Sequence, residues 1–214
     1  VRSVVLYGIA AIVIAAVAAI GFWTYVMSNV EQPGYRIMVA DGAIELRDYP
    51  PSIVAEVTRR GSRQEAVSAG FGPLAGYIFA KERLGDKIAM TAPVTQRREK
   101  IAMTAPVTQS VSESGDNAWT VRFIMPAKYT LETLPKPANA DVRIIAVPEA
   151  RRAAIRFSGY ATDASIAEQQ ALLLGWLQSR KLKPVGSPTY AYYNDPFTPG
   201  PLRRNEVVFD VVDE

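Results

Sequence analysis

The hydrophobic positions change period several times along the chain. Residues 4–27 are apolar or small with no charge among them. At about 1.5 Å rise per residue this stretch makes a helix of roughly 36 Å, enough to cross a bilayer core of about 30 Å. From Tyr35 the pattern alternates. Ile37, Val39, Ile44 and Leu46 are spaced by more polar neighbours around Asp41-Gly42, which predicts a β-hairpin. A further strand is predicted over residues 52–58, behind Pro50-Pro51. The period then lengthens. Val67, Phe71, Leu74 and Ile78 recur at i, i+4, i+7 and i+11 behind a Ser62/Glu65 capping box, the face of a helix. Gly72-Pro73 predicts a break or kink in it.

One more strand completes this first order, and the chain from Val142 then repeats it. Val121, Phe123 and Met125 alternate on one side of a strand over residues 119–125, and the proline-rich residues 126–140 read as a loop. Strands are predicted over residues 142–147 and 153–157, about Pro148-Glu149. Ile166, Leu173, Leu174 and Leu177 then stripe a helix. Ser165 with Glu168 offers its cap, Asp163 competes for that role, and Lys183-Pro184 ends it. A last strand covers residues 207–212. Strand–strand–helix–strand thus occurs twice, about 100 residues apart. The expected class is α+β. Duplicated βαβ-type halves join into one curved sheet or distorted β-barrel with two packed helices, preceded by one transmembrane helix. The expected division is an anchor over residues 1–30 and a domain over residues 31–214.

Within the first half, ahead of its last strand, lies an exact duplication. KIAMTAPVTQ occurs at residues 87–96 and again at 100–109, separated only by Arg97-Arg98-Glu99. It holds no carboxylate and no nucleophile–base pair, so it suits an apolar wall. Its composition suits extended chain, with each proline at an edge or strand end. The two copies are expected to form a hairpin-like excursion through Arg97-Arg98-Glu99.

Composition narrows the chemistry. The chain of 214 residues has no histidine and no cysteine. Serine–histidine triads, histidine bases, histidine metal sites, cysteine nucleophiles and thiolate zinc sites are therefore excluded. With 24 basic and 21 acidic residues the net charge is only +3. The pairs Arg59-Arg60, Arg97-Arg98, Arg151-Arg152 and Arg203-Arg204 are scattered and read as solvated strand ends and turns, so no nucleic-acid partner is expected. Residues 70–76 are glycine-rich but lack the spacing of a dinucleotide fingerprint and the lysine of a P-loop.

The apolar N-terminal stretch admits two readings, a cleaved secretory signal and an uncleaved single-pass anchor. Ala16-Val17-Ala18 imitates a cleavage site, yet apolar sequence continues from Ile20 to Met27, which favours the anchor. Phe22, Trp23 and Tyr25 suit a membrane interface. The expected localisation is a single-pass membrane protein with its domain on the extracytoplasmic, periplasmic side. Gly8, Ala11, Ala15, Ala18 and Ala19 form a small-residue face on this helix, which suits either plain lipid contact or close approach by another transmembrane helix.

Three separated motifs carry a resemblance. Ala75-Gly76-Tyr77-Ile78-Phe79, the two KIAMTAPVTQ copies, and Tyr193-Asn194-Asp195-Pro196-Phe197-Thr198-Pro199 leading to Arg203-Arg204-Asn205-Glu206-Val207 resemble, in order, the SOUL heme-binding protein family. The resemblance implies a distorted β-barrel of two halves with two helices. It also implies a non-enzymatic carrier or buffer of heme or another tetrapyrrole. In some members a histidine ligates iron, and this chain has none. In others heme lies against the first helix, held by apolar contacts and basic residues; here Ser68 and Gly76 stand at the matching positions. The candidate ligand-binding residues are Phe71, Leu74, Tyr77, Ile78, Met90 and Met103, which either line an apolar pocket or pack against the sheet. Met90, Met103, Tyr77, Tyr190, Tyr192 and Tyr193 are the conceivable iron ligands, against plain packing. Arg203 and Arg204 either meet propionates or sit in a solvated turn. The rival expectation is a non-catalytic accessory subunit of a larger integral membrane complex, energy-transducing or pigment-bearing, docked through its helix.

Overall fold

The computed structural model describes residues 7, 14, 30–81, 85–98, 118–194 and 198–213. The chain divides into two compact units, Val1–Glu31 and Gln32–Glu214. The small-residue face Gly8, Ala11, Ala15, Ala18 and Ala19, the second repeat copy and Met103 lie outside the described residues. Among the described residues no helix is long and apolar enough to cross a membrane.

Among the described residues the second unit contains nine strands and two α-helices. The order is β1 (Arg36–Asp41), β2 (Ile44–Tyr49), β3 (Ser52–Arg60), α1 (Arg63–Ile78), β4 (Val94–Arg98), β5 (Ala118–Ile124), β6 (Arg143–Val147), β7 (Ala150–Phe157), α2 (Asp163–Ser179), β8 (Leu182–Tyr192) and β9 (Asn205–Asp213). The predicted hairpin is present: β1 pairs antiparallel with β2 through a turn in which Gly42 takes φ +61°. The capping box at Ser62 and Glu65 is also present.

Several expectations change. Gly72-Pro73 does not end α1, which runs through Pro73 as one helix. The cap of α2 is Thr162, whose side chain accepts from the Ser165 amide. Lys183-Pro184 does not follow a helix end into loop but lies inside β8, an eleven-residue strand missed because proline and glycine interrupt its alternation. A register shift between Val185 and Thr189 absorbs Gly186 (φ +71°). Arg97-Arg98 is strand rather than turn. The first repeat copy pairs through β4 with β5 and β8, and the expected second arm lies outside the described residues.

All strands form one sheet, ordered β1-β2-β7-β9-β8-β4-β5-β3-β6. The halves exchange strands: β2 pairs with β7 of the second half, and β6 pairs with β3 of the first. Two-residue links, Pro50-Pro51 and Pro148-Glu149, join β2 to β3 and β6 to β7. Each pair is six ladder steps apart, about 29 Å across a flat sheet. A two-residue link reaches at most about 11 Å. The sheet therefore curls until its two ends approach, although its ladders leave β1 and β6 as edges among the described residues.

The helices lie on one face, each over its own half. Leu74, Tyr77 and Ile78 of α1 pack with Ala55, Val57, Val121 and Phe123. Ile166, Leu173 and Leu177 of α2 pack with Ala153, Ile155, Val207 and Phe209. Gly70 marks the closest approach of α1: a Cβ there would stand 2.8 Å from Val121 Cγ2. Arg63, at the first turn of α1, donates to Asp163, at the first turn of α2 (2.9 Å), and to Tyr192 Oη (2.6 Å), tying the halves together.

Candidate functional site: the arginine-lined trough

Strands β2–β9 alternate, so residues between the helix-facing ones point to the other face, inside the curl. There the side chains are charged. A cavity of about 240 Å³ is lined from eight strands, by Arg97 of β4, Arg122 of β5, Arg152 of β7, and Glu206 and Asp210 of β9, among others. A second, wider cavity of about 770 Å³ lies at the rim, walled by Tyr35, Arg36, Asp48, Tyr49 and Arg151. Tyr49 and Ala150 line both, so the two cavities adjoin.

Four carboxylates on this face and its rim are each held between two arginines. Asp210 accepts from Arg97 Nη2 (2.5 Å) and Arg152 Nε (2.8 Å). Glu56 meets Arg122 Nε (2.7 Å) and Arg143 Nη2 (2.8 Å). At the rim Asp48 meets Arg36 (3.2 Å) and Arg151 (2.8 Å). Glu206 is the most enclosed. Arg47 grips both its oxygens (2.8 and 3.0 Å), Arg204 adds a third contact (2.8 Å), and Tyr193 Oη donates to it (2.9 Å). Arg47 is 1% exposed and Glu206 2%, so this pair is dry. Among the described residues every buried side-chain nitrogen and oxygen has a partner.

Electrostatics follow from these contacts. Burial works against the charged form of Glu206, but the hydrogen bonds and charges of Arg47 and Arg204 overcome it and hold its pKa below the ordinary value. Asp210 is likewise penalised by burial and pulled down by Arg97 and Arg152. Burial raises the Tyr49 phenol against the opposing influence of Arg47, and raises Tyr193, with Glu206 adding to the effect. Both acids are thus ionised and both phenols neutral at physiological pH.

The residues expected to form an apolar ligand wall sit on the other side of the sheet. Leu74, Tyr77 and Ile78 are 0%, 3% and 1% exposed and belong to the core beneath α1. Tyr77 Oη donates to the Pro135 carbonyl (2.8 Å). Phe71 is exposed at the flank of α1 and meets Phe123 edge-on at 5.2 Å. Met90 packs against the same core. None of these five lines either cavity. Among the described residues these side chains pack into the core beneath α1, and the two cavities described above lie on the charged face and its rim. Of the tyrosines considered as ligands, Tyr190 and Tyr192 belong to β8. Tyr190 Oη donates to Gln170 and Tyr192 Oη receives Arg63. Arg203 and Arg204 do not sit in a solvated turn. They stack on Tyr160 and Tyr193 at 4.6 and 3.9 Å.

Sequence reasoning passed over Arg97, Arg122 and Arg152. A signal existed for Arg122, which occupies the off-phase position between Val121 and Phe123, whereas Arg97 and Arg152 each stand beside another arginine that hides the alternation. Read within scattered pairs, Arg97 and Arg152 looked like strand ends and turns. Among the described residues no three His, Cys, Asp or Glu side chains converge as metal ligands.

A family model described as SOUL heme-binding protein matches residues 30–210. No curated protein matches the chain. Among solved structures, the EcmrR C-terminal domain is similar with TM-score 0.57 at 13% identity, over 84% of this chain and 99% of that one. A hydrolase from Listeria innocua is similar with TM-score 0.54 at 14% identity, over 82% and 94%. An uncharacterized conserved protein from Listeria innocua gives TM-score 0.54 at 14% identity, over 79% and 92%. At such identities these likenesses speak for the fold alone.

Proposed function

The chain belongs to the SOUL heme-binding protein family, and from that premise we propose that it is a membrane-anchored, non-catalytic binder or carrier of heme or another tetrapyrrole. The observation that carries this reading is the cavity of about 770 Å³ beside the arginine-lined trough. Its size lies within the roughly 300–1,000 Å³ of small-molecule sites. Aromatic walls at Tyr35 and Tyr49 suit a flat macrocycle, and Arg97, Arg122 and Arg152 of the adjoining trough suit its carboxylates, while Arg36 and Arg151 share the wider cavity with Asp48, Glu149 and Asp213. These residues fit the macrocycle, and the iron of a bound heme would supply redox or ligand chemistry without histidine, which the chain lacks. The absence of histidine and cysteine also favours binding over hydrolytic catalysis.

The anchor in this reading is the uncharged stretch 4–27, with the domain on the periplasmic side. A titration of the full chain with micromolar heme is expected to shift the Soret band and quench tryptophan emission. Silence in both channels would remove the reading.

The small-residue face Gly8, Ala11, Ala15, Ala18 and Ala19 favours a second reading, an accessory subunit docked on a larger integral membrane complex. Gentle purification from native membranes then yields the complex; recovery of monomer alone counts against it.

A further inference from the structure

The exact repeat stands in a particular relation to the slot that β4 fills between β5 and β8. The first copy holds that slot by Ile88, Thr91, Ala92, Pro93 and Gln96, all buried. Thr91 Oγ1 donates to the Ile124 carbonyl, and the Gln96 amide donates to the Arg63 carbonyl (2.8 Å). All five residues lie within KIAMTAPVTQ, so the second copy repeats them as Ile101, Thr104, Ala105, Pro106 and Gln109. The ladder bonds are made by backbone and are the same for either copy. Two strand positions beyond the repeat differ: Arg97-Arg98 follow the first copy and Ser110-Val111 the second.

The chain connections permit an exchange. Seating the second copy lengthens the link behind α1 from residues 79–87 to 79–100, and shortens the link into β5 from residues 99–117 to 112–117. The probability of loop closure falls as about the 3/2 power of length, so the two changes cancel to within about twofold. The copy left out of the slot carries the same ten side chains in either case, so leaving it out favours neither. What remains is chiefly Arg97, since Arg98 is exposed. Arg97 donates to Thr189 Oγ1 (2.9 Å) and to Asp210 (2.5 Å). At 30% and 26% side-chain exposure, this ion pair shifts a balance by about two- to fivefold, in favour of the first copy.

We propose that β4 is an exchangeable strand: the second copy takes the place of the first between β5 and β8 in a minor form of the same fold. In that form Arg97 leaves the trough with the first copy, and Asp210 keeps Arg152 alone. A ligand that engages Arg97 binds the first-copy form better and draws the population towards it. The repeat is thereby a device that sets how many arginines the trough presents. It goes beyond the binding reading and does not depend on which ligand the trough takes.

The test uses the full chain in detergent and compares Ile88→Asp, Ile101→Asp and the two together by chemical denaturation. Ile88 is 2% exposed in the slot, so an aspartate there is a buried, unpaired charge. With the second copy intact to replace the first, Ile88→Asp lowers the folding constant by only about three- to sixfold, the preference set by Arg97. Ile101→Asp lowers it by less than about twofold. The double variant loses more than about a hundredfold, because either copy then buries a carboxylate. The absence of cysteine gives a direct readout as well. Thr95 and Ala191 are ladder partners, at a spacing that a disulfide bridges. Thr95→Cys with Ala191→Cys crosslinks the first-copy form, and Thr108→Cys with Ala191→Cys crosslinks the second. Both close on oxidation, and adding Ile88→Asp raises the yield of the second several-fold. A single variant as damaging as the double one, or no crosslink from position 108, overturns the inference. Should the double variant fold as well as the wild type, the crosslinks decide by themselves. Heme titration is scored apart, so its silence removes tetrapyrrole binding and leaves the exchange standing.

Discussion

Strand β9 shows the two faces of the sheet in one segment. Val207, Phe209 and Val211 point into the core beneath α2, while Glu206 and Asp210 point into the trough. Both faces are enclosed, but different forces hold them. On the helix side Leu74, Leu173 and Leu177 are fully buried and interlock by shape. On the trough side enclosure means taking charges out of water, at a cost that their mutual attraction barely offsets. An apolar filling would serve folding as well. A layer of shared arginines suits binding instead, and the contrast separates what maintains the fold from what is available to a ligand.

Breaking the charged face at its driest point is expected to have the largest effect. Glu206→Ala leaves Arg47 buried without its main partner and costs about 3–5 kcal/mol in chemical denaturation. Joint replacement, Arg47→Met with Glu206→Met, should recover most of that loss. If the double variant is no better than the single one, the cluster is a structural keystone and the contrast drawn above fails. The same pair sets an acid limit. Glu206 and Asp210 have folded-state pKa values below their ordinary ones. The stability they contribute is fully present above the unfolded-state values, about 4, and is lost as pH falls through the lower folded ones. Glu206→Gln should therefore lose less additional stability below pH ~4 than the wild type does.

On the helix side Leu74→Ala opens a cavity beneath α1 and costs about 2–5 kcal/mol, with ligand binding retained in the folded fraction. Loss of binding at full occupancy of the fold would return the ligand to α1 and away from the trough. The smallest of these effects belongs to Gly70→Ala. Its new methyl group meets Val121 and Val57 at 2.8 and 3.2 Å and forces α1 outward. Overpacking of this kind costs about 1–3 kcal/mol in a thermal melt. A neutral result would mean that α1 rides loosely on β3 and β5.

Much of the fold was legible because local patterns carry it. The hairpin at Gly42, the capping box at Ser62 and the stripe Ile166, Leu173, Leu177 are each specified by residues a few positions apart. Strand β8 was not legible, since Pro184, Gly186 and Pro188 erase its alternation and only its pairing with β4 and β9 keeps it extended. The candidate site was less visible than the fold. Phe71, Leu74, Tyr77 and Ile78 share one helical stripe, and a stripe has the same spacing whether it faces a ligand or a core. Arg97, Arg122, Arg152 and Asp210 are far apart in sequence and acquire a common meaning only where β7, β9, β8, β4 and β5 lie side by side.

The amino-acid order alone determined the alternations, the caps, the two helices and the doubling of the pattern, because backbone preference and side-chain period act over neighbouring residues. It also excluded histidine and thiol chemistry outright. Tertiary structure decided which strand each half lends to the other, and that the sheet curls with its arginines inward. Those outcomes come from pairings between residues about 100 apart, such as Arg47 with Arg152 and Ile53 with Ala146, for which no local period exists.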